Sequence, residues 1–177
     1  MADNIVPALP ALTLILGGQR SGKSAYAEGL IGITSQAVYV ATGEALDGEM
    51  TARIALHRKR RGDNWTTLEE PLDLVGALAK SDEQGRPVLI DSLAMWVANL
   101  LQADKNVTEE TLALVRALET IKSSVVIVSD EVGLGIIPGN ALARSFVDAL
   151  GTANQKIAAA AQRVIVVTAG LPQVLKG

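Results

Sequence analysis

Between an apolar run and the first helical pattern the chain reads "LILGGQRSGKSAYAEGL", Leu14 to Leu30. Gly17, four further residues, then Gly22, Lys23 and Ser24 match G-x-x-x-x-G-K-[ST], the spacing of a phosphate-binding P-loop. In such a turn the backbone N–H groups of Gly17, Gly18, Gln19, Arg20, Ser21, Gly22, Lys23 and Ser24 surround phosphate oxygens. The helix that follows adds its positive N-terminal end. Lys23 is then expected on the outer phosphates and the Ser24 hydroxyl on magnesium. A magnesium nucleotide also needs a carboxylate at the end of another strand, and "VLID" supplies Asp91. The same side chain suits the N-cap of a helix starting near Leu93. The run "VVIVSDE" adds Asp130 and Glu131, which fit a general base toward an acceptor hydroxyl, a water-mediated metal contact, or a solvated turn.

A second constellation lies in "DGEMTARIALHRKRRGDNW", which holds the single histidine of the chain. At helical spacing Arg53, His57, Arg60 and Arg61 share one face and gather an imidazole among guanidinium groups. Nearby cations disfavour imidazolium, and a neutral imidazole is able to attack phosphorus. Met50, Ile54 and His57 also fall on a regular apolar stripe, so spacing alone equally allows His57 to edge a core. A run such as "HRKRR" is more often a solvated helix end than a ligand site.

These residues need elements to position them. The β-branched runs "ALTLIL", "AVYVAT", "PVLID", "SVVIVSD" and "RVIVVTAG" read as strands, several of them apolar throughout, as strands covered on both faces should be. Helical patterns fall at 23–33, 47–61, 71–80, 93–102, 108–122 and 139–161. That alternation predicts an α/β fold with a mostly parallel, doubly wound sheet and helices on both faces. One domain over 1–177 is expected, with 1–10 as an N-terminal tail entering the first strand. In such sheets ligands sit at the carboxyl ends of the strands, which here read "GGQRSGKS", "TGEALDGEM", "DSLAMW" and "DEVGLGIIPGN".

Composition narrows the classes further. A chain of 177 residues buries roughly 70% of its unfolded surface without disulfides or metals. With 49% hydrophobic residues and only 3% aromatic ones, its core must be built from Val, Ile, Leu and Ala. The formal charge of -3 argues against nucleic acid as a partner. The lack of cysteine excludes disulfides, thiolate metal sites and cysteine nucleophiles. The N-terminal "MADNIVPALPALTLIL" has Asp3 where a signal peptide needs a basic region, and prolines within the run. No stretch approaches the ~20 apolar residues of a membrane span, and a cytoplasmic location is expected.

Taken together, "GGQRSGKS", "YVATGEALDGEMTARIALHRKRRGDNWTTLEEP", "DSLAMWVANLL" and "DEVGLGIIPGNALARSFVDALGTANQKIAAAA" resemble the bifunctional adenosylcobinamide kinase and adenosylcobinamide-phosphate guanylyltransferase family of cobalamin biosynthesis. The likeness runs over nearly the whole chain from Leu12, and the long second and fourth blocks are far more specific than the P-loop. It implies a RecA-like P-loop fold and a homotrimer. It implies phosphorylation of adenosylcobinamide with ATP or GTP, then transfer of GMP from GTP to adenosylcobinamide phosphate with release of pyrophosphate. The second reaction passes through a guanylylated histidine, which falls on His57. The nucleotide contacts it implies fall on Gly17 to Ser24, on Thr42, Gly43 and Glu44, on Arg58, Lys59, Arg60 and Arg61, and on Glu69 and Asp91. The chain departs from the pattern at Asp130, where the family commonly has Asn before Glu-Val-Gly.

Trp65 and Glu69 follow His57 closely enough to shape a base or sugar pocket, although Trp65 suits core packing as well. Two rival readings stand beside this one. In the first, the chain is a P-loop small-molecule kinase without guanylyltransferase activity, and His57 is structural. In the second it is a RecA-like regulatory ATPase acting on nucleic acid, against which the acidic charge and scarce aromatics count.

Overall fold

Runs that are apolar at nearly every position become the interior strands of one sheet, because only a strand covered on both faces can bury all of its side chains. The structure, a computed structural model, describes residues 9–32, 36–43 and 64–177. Its strands are β1 (Leu12–Gly17), β2 (Ala37–Ala41), β3 (Trp65–Glu69), β4 (Val88–Asp91), β5 (Val125–Asp130), β6 (Arg163–Thr168) and β7 (Leu171–Lys176). They form one sheet in the order β3-β2-β4-β5-β1-β6-β7. All neighbours run parallel except β6 and β7. The described helices are α1 (Lys23–Ile31), α2 (Leu74–Asp82), α3 (Leu93–Gln102), α4 (Val107–Thr120) and α5 (Ala141–Ala160). The helix expected at 47–61 lies outside the described residues.

The two faces of the sheet carry separate cores. Leu14, Val40, Ile90 and Ile127 pack beneath α2, α3, α4 and α5 through Leu78, Trp96, Leu114 and Leu150. Ile15, Leu89, Val126 and Val128 face the other way, toward Ala27 and Ile31 of α1. Helices thus cover both faces, as the alternation predicts, with four on one side and one on the other among the described residues. Each fully buried Val, Leu or Ile contributes about 1.5–3 kcal/mol, so Val125 to Val128, all fully buried, suffice to hold β5 in the middle of the sheet.

Connectivity then decides where a ligand can sit. From β1 the chain passes through α1 to β2 on one side of the sheet, whereas from β5 it passes through α5 to β6 on the other side of β1. The crevice between the carboxyl ends of β1 and β5 is therefore the topological switch point, where open α/β sheets bind their ligands.

Two strands escaped the sequence patterns. "WTTLE" and "LPQVLK" form the two edges of the sheet, and every residue of the second is exposed. Pro172 lacks an N–H, a deficit that only an edge tolerates. Helix α2 starts at Leu74 rather than at 71, because the Asp73 carboxylate caps it by accepting from the Gly76 N–H at 2.8 Å.

Asp82, at the end of α2, accepts from the N–H groups of Ser123 at 2.9 Å and Lys122 at 3.1 Å, where the chain enters β5. The Ser123 backbone bond is the main cause that holds its carboxyl below the ordinary value of 3.8. A folded-state pKa below the unfolded one gives stability that is fully present above the unfolded value and is lost as pH falls through the folded one. We expect Asp82→Ala to melt below the wild type at neutral pH, and the two melting temperatures to converge as the pH is lowered beneath 3.8.

Candidate functional site

Gly17 ends β1 where a side chain has no room: a Cβ there would lie 2.5 Å from Ser21 Oγ and 2.7 Å from the Val167 carbonyl oxygen. Arg20 and Gly22 both take left-handed backbone angles, with φ of 58° and 95°. Such alternation curls the chain into a nest that turns successive N–H groups toward one centre. Gly18, Gln19 and Arg20 form its exposed rim. Ser21 closes it, donating from its N–H to the Gly18 carbonyl at 3.2 Å and accepting at its own carbonyl from the Gly170 N–H at 2.8 Å. The second bond pins the loop to the turn between β6 and β7.

Helix α1 starts directly from this turn. The other four described helices have Asp73, Ser92, Asn106 or Asn140 at the N-cap, each accepting a backbone N–H with its side chain. Gly22, at the N-cap of α1, has no side chain with which to do so. The first-turn amides of any helix lack intrahelical partners, and here they sit beside Lys23 and Ser24 with the positive end of the helix dipole behind them. The Lys23 ammonium donates to the Gly18 carbonyl at 3.2 Å and pairs with Asp130 Oδ1 at 2.5 Å.

The acidic residues line up because each of three strands ends on one. Register pairs Gly17 with Asp130, and Ala41 with both Asp91 and Glu69. Glu69, Asp91, Asp130 and the P-loop therefore share one edge of the sheet, spread across five neighbouring strands. At about 4.8 Å per strand, β4, which carries Asp91, lies roughly 10 Å across the sheet from β1, and β3, which carries Glu69, about 19 Å.

Asp91 is the strand-end carboxylate expected from the sequence, and the capping alternative is excluded. Ser92 caps α3, its hydroxyl accepting from the Met95 N–H at 3.3 Å, while Asp91 Oδ2 accepts from the Tyr39 hydroxyl at 3.1 Å. Asp130 and Glu131 also part company. The Glu131 N–H donates to the Gly17 carbonyl, and its carboxylate turns back to the Gly133 N–H at 2.9 Å, so only Asp130 faces Lys23. Thr42 is fully buried; its hydroxyl donates to the Ser92 carbonyl and accepts from the Ser92 N–H, both at 2.8 Å. Gly43, half-buried, follows it toward the edge, and Glu69 is exposed at the end of β3. Trp65 packs edge-to-face on Tyr39 with centroids 6.2 Å apart, in the core beneath α1. Glu44, Arg53, His57, Arg58, Lys59, Arg60 and Arg61 lie outside the described residues.

Supporting residues that the sequence patterns did not single out hold this edge together. Asn99 donates from Nδ2 to the carbonyls of Thr42 at 2.8 Å and Pro71 at 3.1 Å, tying the ends of β2 and β3 to α3. A signal for it existed: it is the one polar residue in "LAMWVANLL". Asn154 accepts from the Ser129 hydroxyl at 2.6 Å and donates to the Asp130 carbonyl at 3.1 Å, which fixes the end of β5 against α5.

Magnesium at a nucleotide site is held by one or two carboxylates together with substrate phosphates and water. A hydroxyl at the start of α1 and a carboxylate at the end of β4 are hard oxygen donors of that kind, so Ser24 and Asp91 fit it. No cluster of three or more His, Cys, Asp or Glu side chains gathers among the described residues, and a phosphate-borne ion needs none.

Comparison with known sequences decides among the chemistries this edge allows. Residues 13–175 match the family described as cobinamide kinase / cobinamide phosphate guanyltransferase. The chain belongs to that family. Over 167 residues it is 47% identical to the bifunctional adenosylcobalamin biosynthesis protein CobP of Pseudomonas aeruginosa, covering 93% of this chain and 96% of that protein. It is 39% identical over 175 residues to the bifunctional adenosylcobalamin biosynthesis protein CobU of Escherichia coli, covering 90% and 97%. Among solved structures, the fold matches a prototypical ATPase from the type III secretion system of pathogenic bacteria with a TM-score of 0.55 at 15% identity. That match covers 93% of this chain and 54% of the ATPase, and shows a shared P-loop fold of the RecA-like kind. Family membership thus agrees with the resemblance carried by the four sequence blocks. No described helix is long and apolar enough to cross a membrane.

Proposed function

We propose that this chain phosphorylates a hydroxyl of adenosylcobinamide with ATP or GTP, then transfers GMP from GTP to adenosylcobinamide phosphate, yielding adenosylcobinamide-GDP and pyrophosphate. One observation carries the reading: the P-loop and Lys23 lie at the switch point of a sheet whose sequence, over residues 13–175, matches a family described by both activities. The same match favours this reading over a kinase with no guanylyltransferase activity. We also propose one functional domain over 1–177 with 1–10 as a tail, a homotrimer, and a cytoplasmic location.

In the kinase step the acceptor hydroxyl oxygen bonds to the γ-phosphorus, the bond from that phosphorus to the β,γ-bridging oxygen breaks, and the hydroxyl proton passes to solvent water. The nucleoside diphosphate leaves. Little covalent chemistry falls to the protein: the P-loop amides and Lys23 align the triphosphate and stabilise charge on its equatorial oxygens. Ser24 and Asp91 would hold magnesium, which would supply further neutralisation of phosphate charge when bound. In the guanylyl step an imidazole nitrogen of His57 bonds to the α-phosphorus of GTP and pyrophosphate departs. A phosphate oxygen of the acceptor then displaces the imidazole. The covalent histidine divides one difficult transfer into two displacements with good leaving groups. Glu44, Arg58, Lys59, Arg60 and Arg61 are assigned to nucleotide contacts. Thr42, Gly43 and Glu69, at the ends of β2 and β3, are likewise assigned to nucleotide contacts.

If Asp91 positions magnesium, Asp91→Ala should raise the metal concentration for half-maximal rate and depress turnover about a hundredfold, with the fold retained. Unchanged kinetics accompanied by a lower melting temperature would give Asp91 a structural role only. The function itself is tested by incubating the protein with α-labelled and, separately, γ-labelled GTP and separating it under denaturing conditions. Label retained from the α position alone, with pyrophosphate released, supports the guanylyl-enzyme; no retained label leaves the kinase alone.

A further inference from the structure

Lys23 already has a partner of opposite charge at the place where phosphates are expected. Its ammonium lies 2.5 Å from Asp130 Oδ1, with side chains only 12% and 30% exposed. A rigid frame delivers that carboxylate. Register sets Asp130 beside Gly17, the Asn154 amide holds the Asp130 carbonyl, and the next residue, Glu131, donates its N–H to Gly17. Asn154 is itself buried and fixed by the Ser129 hydroxyl at 2.6 Å. The ion pair is not what keeps β5 next to β1. Buried Val125 to Val128 do that, and a partly exposed pair adds little beside four buried aliphatic side chains.

From this geometry we propose that Asp130 is a counter-ion that competes with the outer phosphates of a nucleotide for Lys23, and so sets how tightly the P-loop binds. It is an affinity-determining residue that acts through Lys23. The inference rests on the P-loop reading given above. A bound β-phosphate must draw the ammonium from Asp130 or share it, and the carboxylate reclaims Lys23 as the nucleotide leaves. Removing the negative charge, while keeping the size of the side chain, frees Lys23 for phosphate.

The test is a double-mutant cycle read by calorimetry with GDP, which carries a β-phosphate and needs no acceptor. Asp130→Asn should tighten GDP about tenfold in the otherwise wild-type protein. In a Lys23→Ala background the same substitution should tighten it by no more than about twofold, because the competition has been removed. Asp130→Ser, which deletes the carboxylate without adding an amide, must act in the same direction. Equal tightening in both backgrounds would make Asp130 a source of plain repulsion toward phosphate and overturn the inference. Unchanged or weaker binding in Asp130→Asn would overturn it too. If GDP fails to bind the wild-type protein at all, the P-loop reading falls, and this inference with it.

Discussion

His57→Asn protein is expected to take up no label from α-labelled GTP and to lose guanylyl transfer by about a thousandfold or more, the scale on which removal of a covalent nucleophile acts. Asparagine keeps a polar side chain of similar reach but has no nucleophilic imidazole nitrogen. Wild-type protein should retain the α label without any cobinamide present, release pyrophosphate, and keep no γ label. The adduct should survive alkali and break in acid, as a phosphoramidate does and a serine phosphoester does not. Phosphorylation of adenosylcobinamide by the variant should persist, since the acceptor hydroxyl attacks the γ-phosphorus directly in that step. A labelled, acid-labile adduct on His57→Asn would place the nucleophile elsewhere. Loss of both activities in a folded variant would make His57 part of a shared nucleotide surface and end the case for separable chemistry.

Lys23→Ala is expected to have the opposite signature, with both reactions falling together by about 10²–10³-fold, the loss typical when one preorganised charge-stabilising group is removed. Both reactions use a triphosphate aligned by the same loop, so no substrate escapes the change. The fold should survive, because among the described residues the polar partners of the Lys23 side chain are the Gly18 carbonyl and Asp130, and neither belongs to a core. Phosphoryl transfer at the wild-type rate by a well-folded Lys23→Ala protein would refute the assignment. The two variants thus form a pair: one separates the activities and the other impairs both.

Much of this architecture is local in origin and was readable along the chain. The P-loop spacing states its own turn, because Gly17 and Gly22 occupy positions where a Cβ either collides or strains the backbone. Strands β1, β2, β4, β5 and β6 announce themselves as apolar runs, since burial on both faces demands that pattern. Helix α3 was placed at its observed bounds by periodicity, and α4 and α5 to within two residues. The edge strands β3 and β7 were not legible. Their side chains are half-exposed or exposed, so burial writes no apolar run into them, and Pro172 argues against a strand except at an edge.

What the chain order could not state was which strand ends meet. Lys23 and Asp130 are far apart in sequence, and only the insertion of β5 between β4 and β1 brings one to the other. The sequence left Asp130 and Glu131 interchangeable as base, metal contact or turn; register and the Gly133 N–H separate them, directing one carboxylate to the P-loop lysine and the other into its own turn. It likewise left Asp91 between a metal ligand and a helix cap, and the backbone resolved that by giving the cap to Ser92 and the carboxylate to Tyr39. By itself the sequence determined the nucleotide turn and the α/β class, because those are fixed by spacing and by burial pattern, and its four long blocks carried the resemblance to the family. Only the tertiary structure decided the partners of each carboxylate, because a pairing between distant residues depends on strand order, which no local pattern encodes.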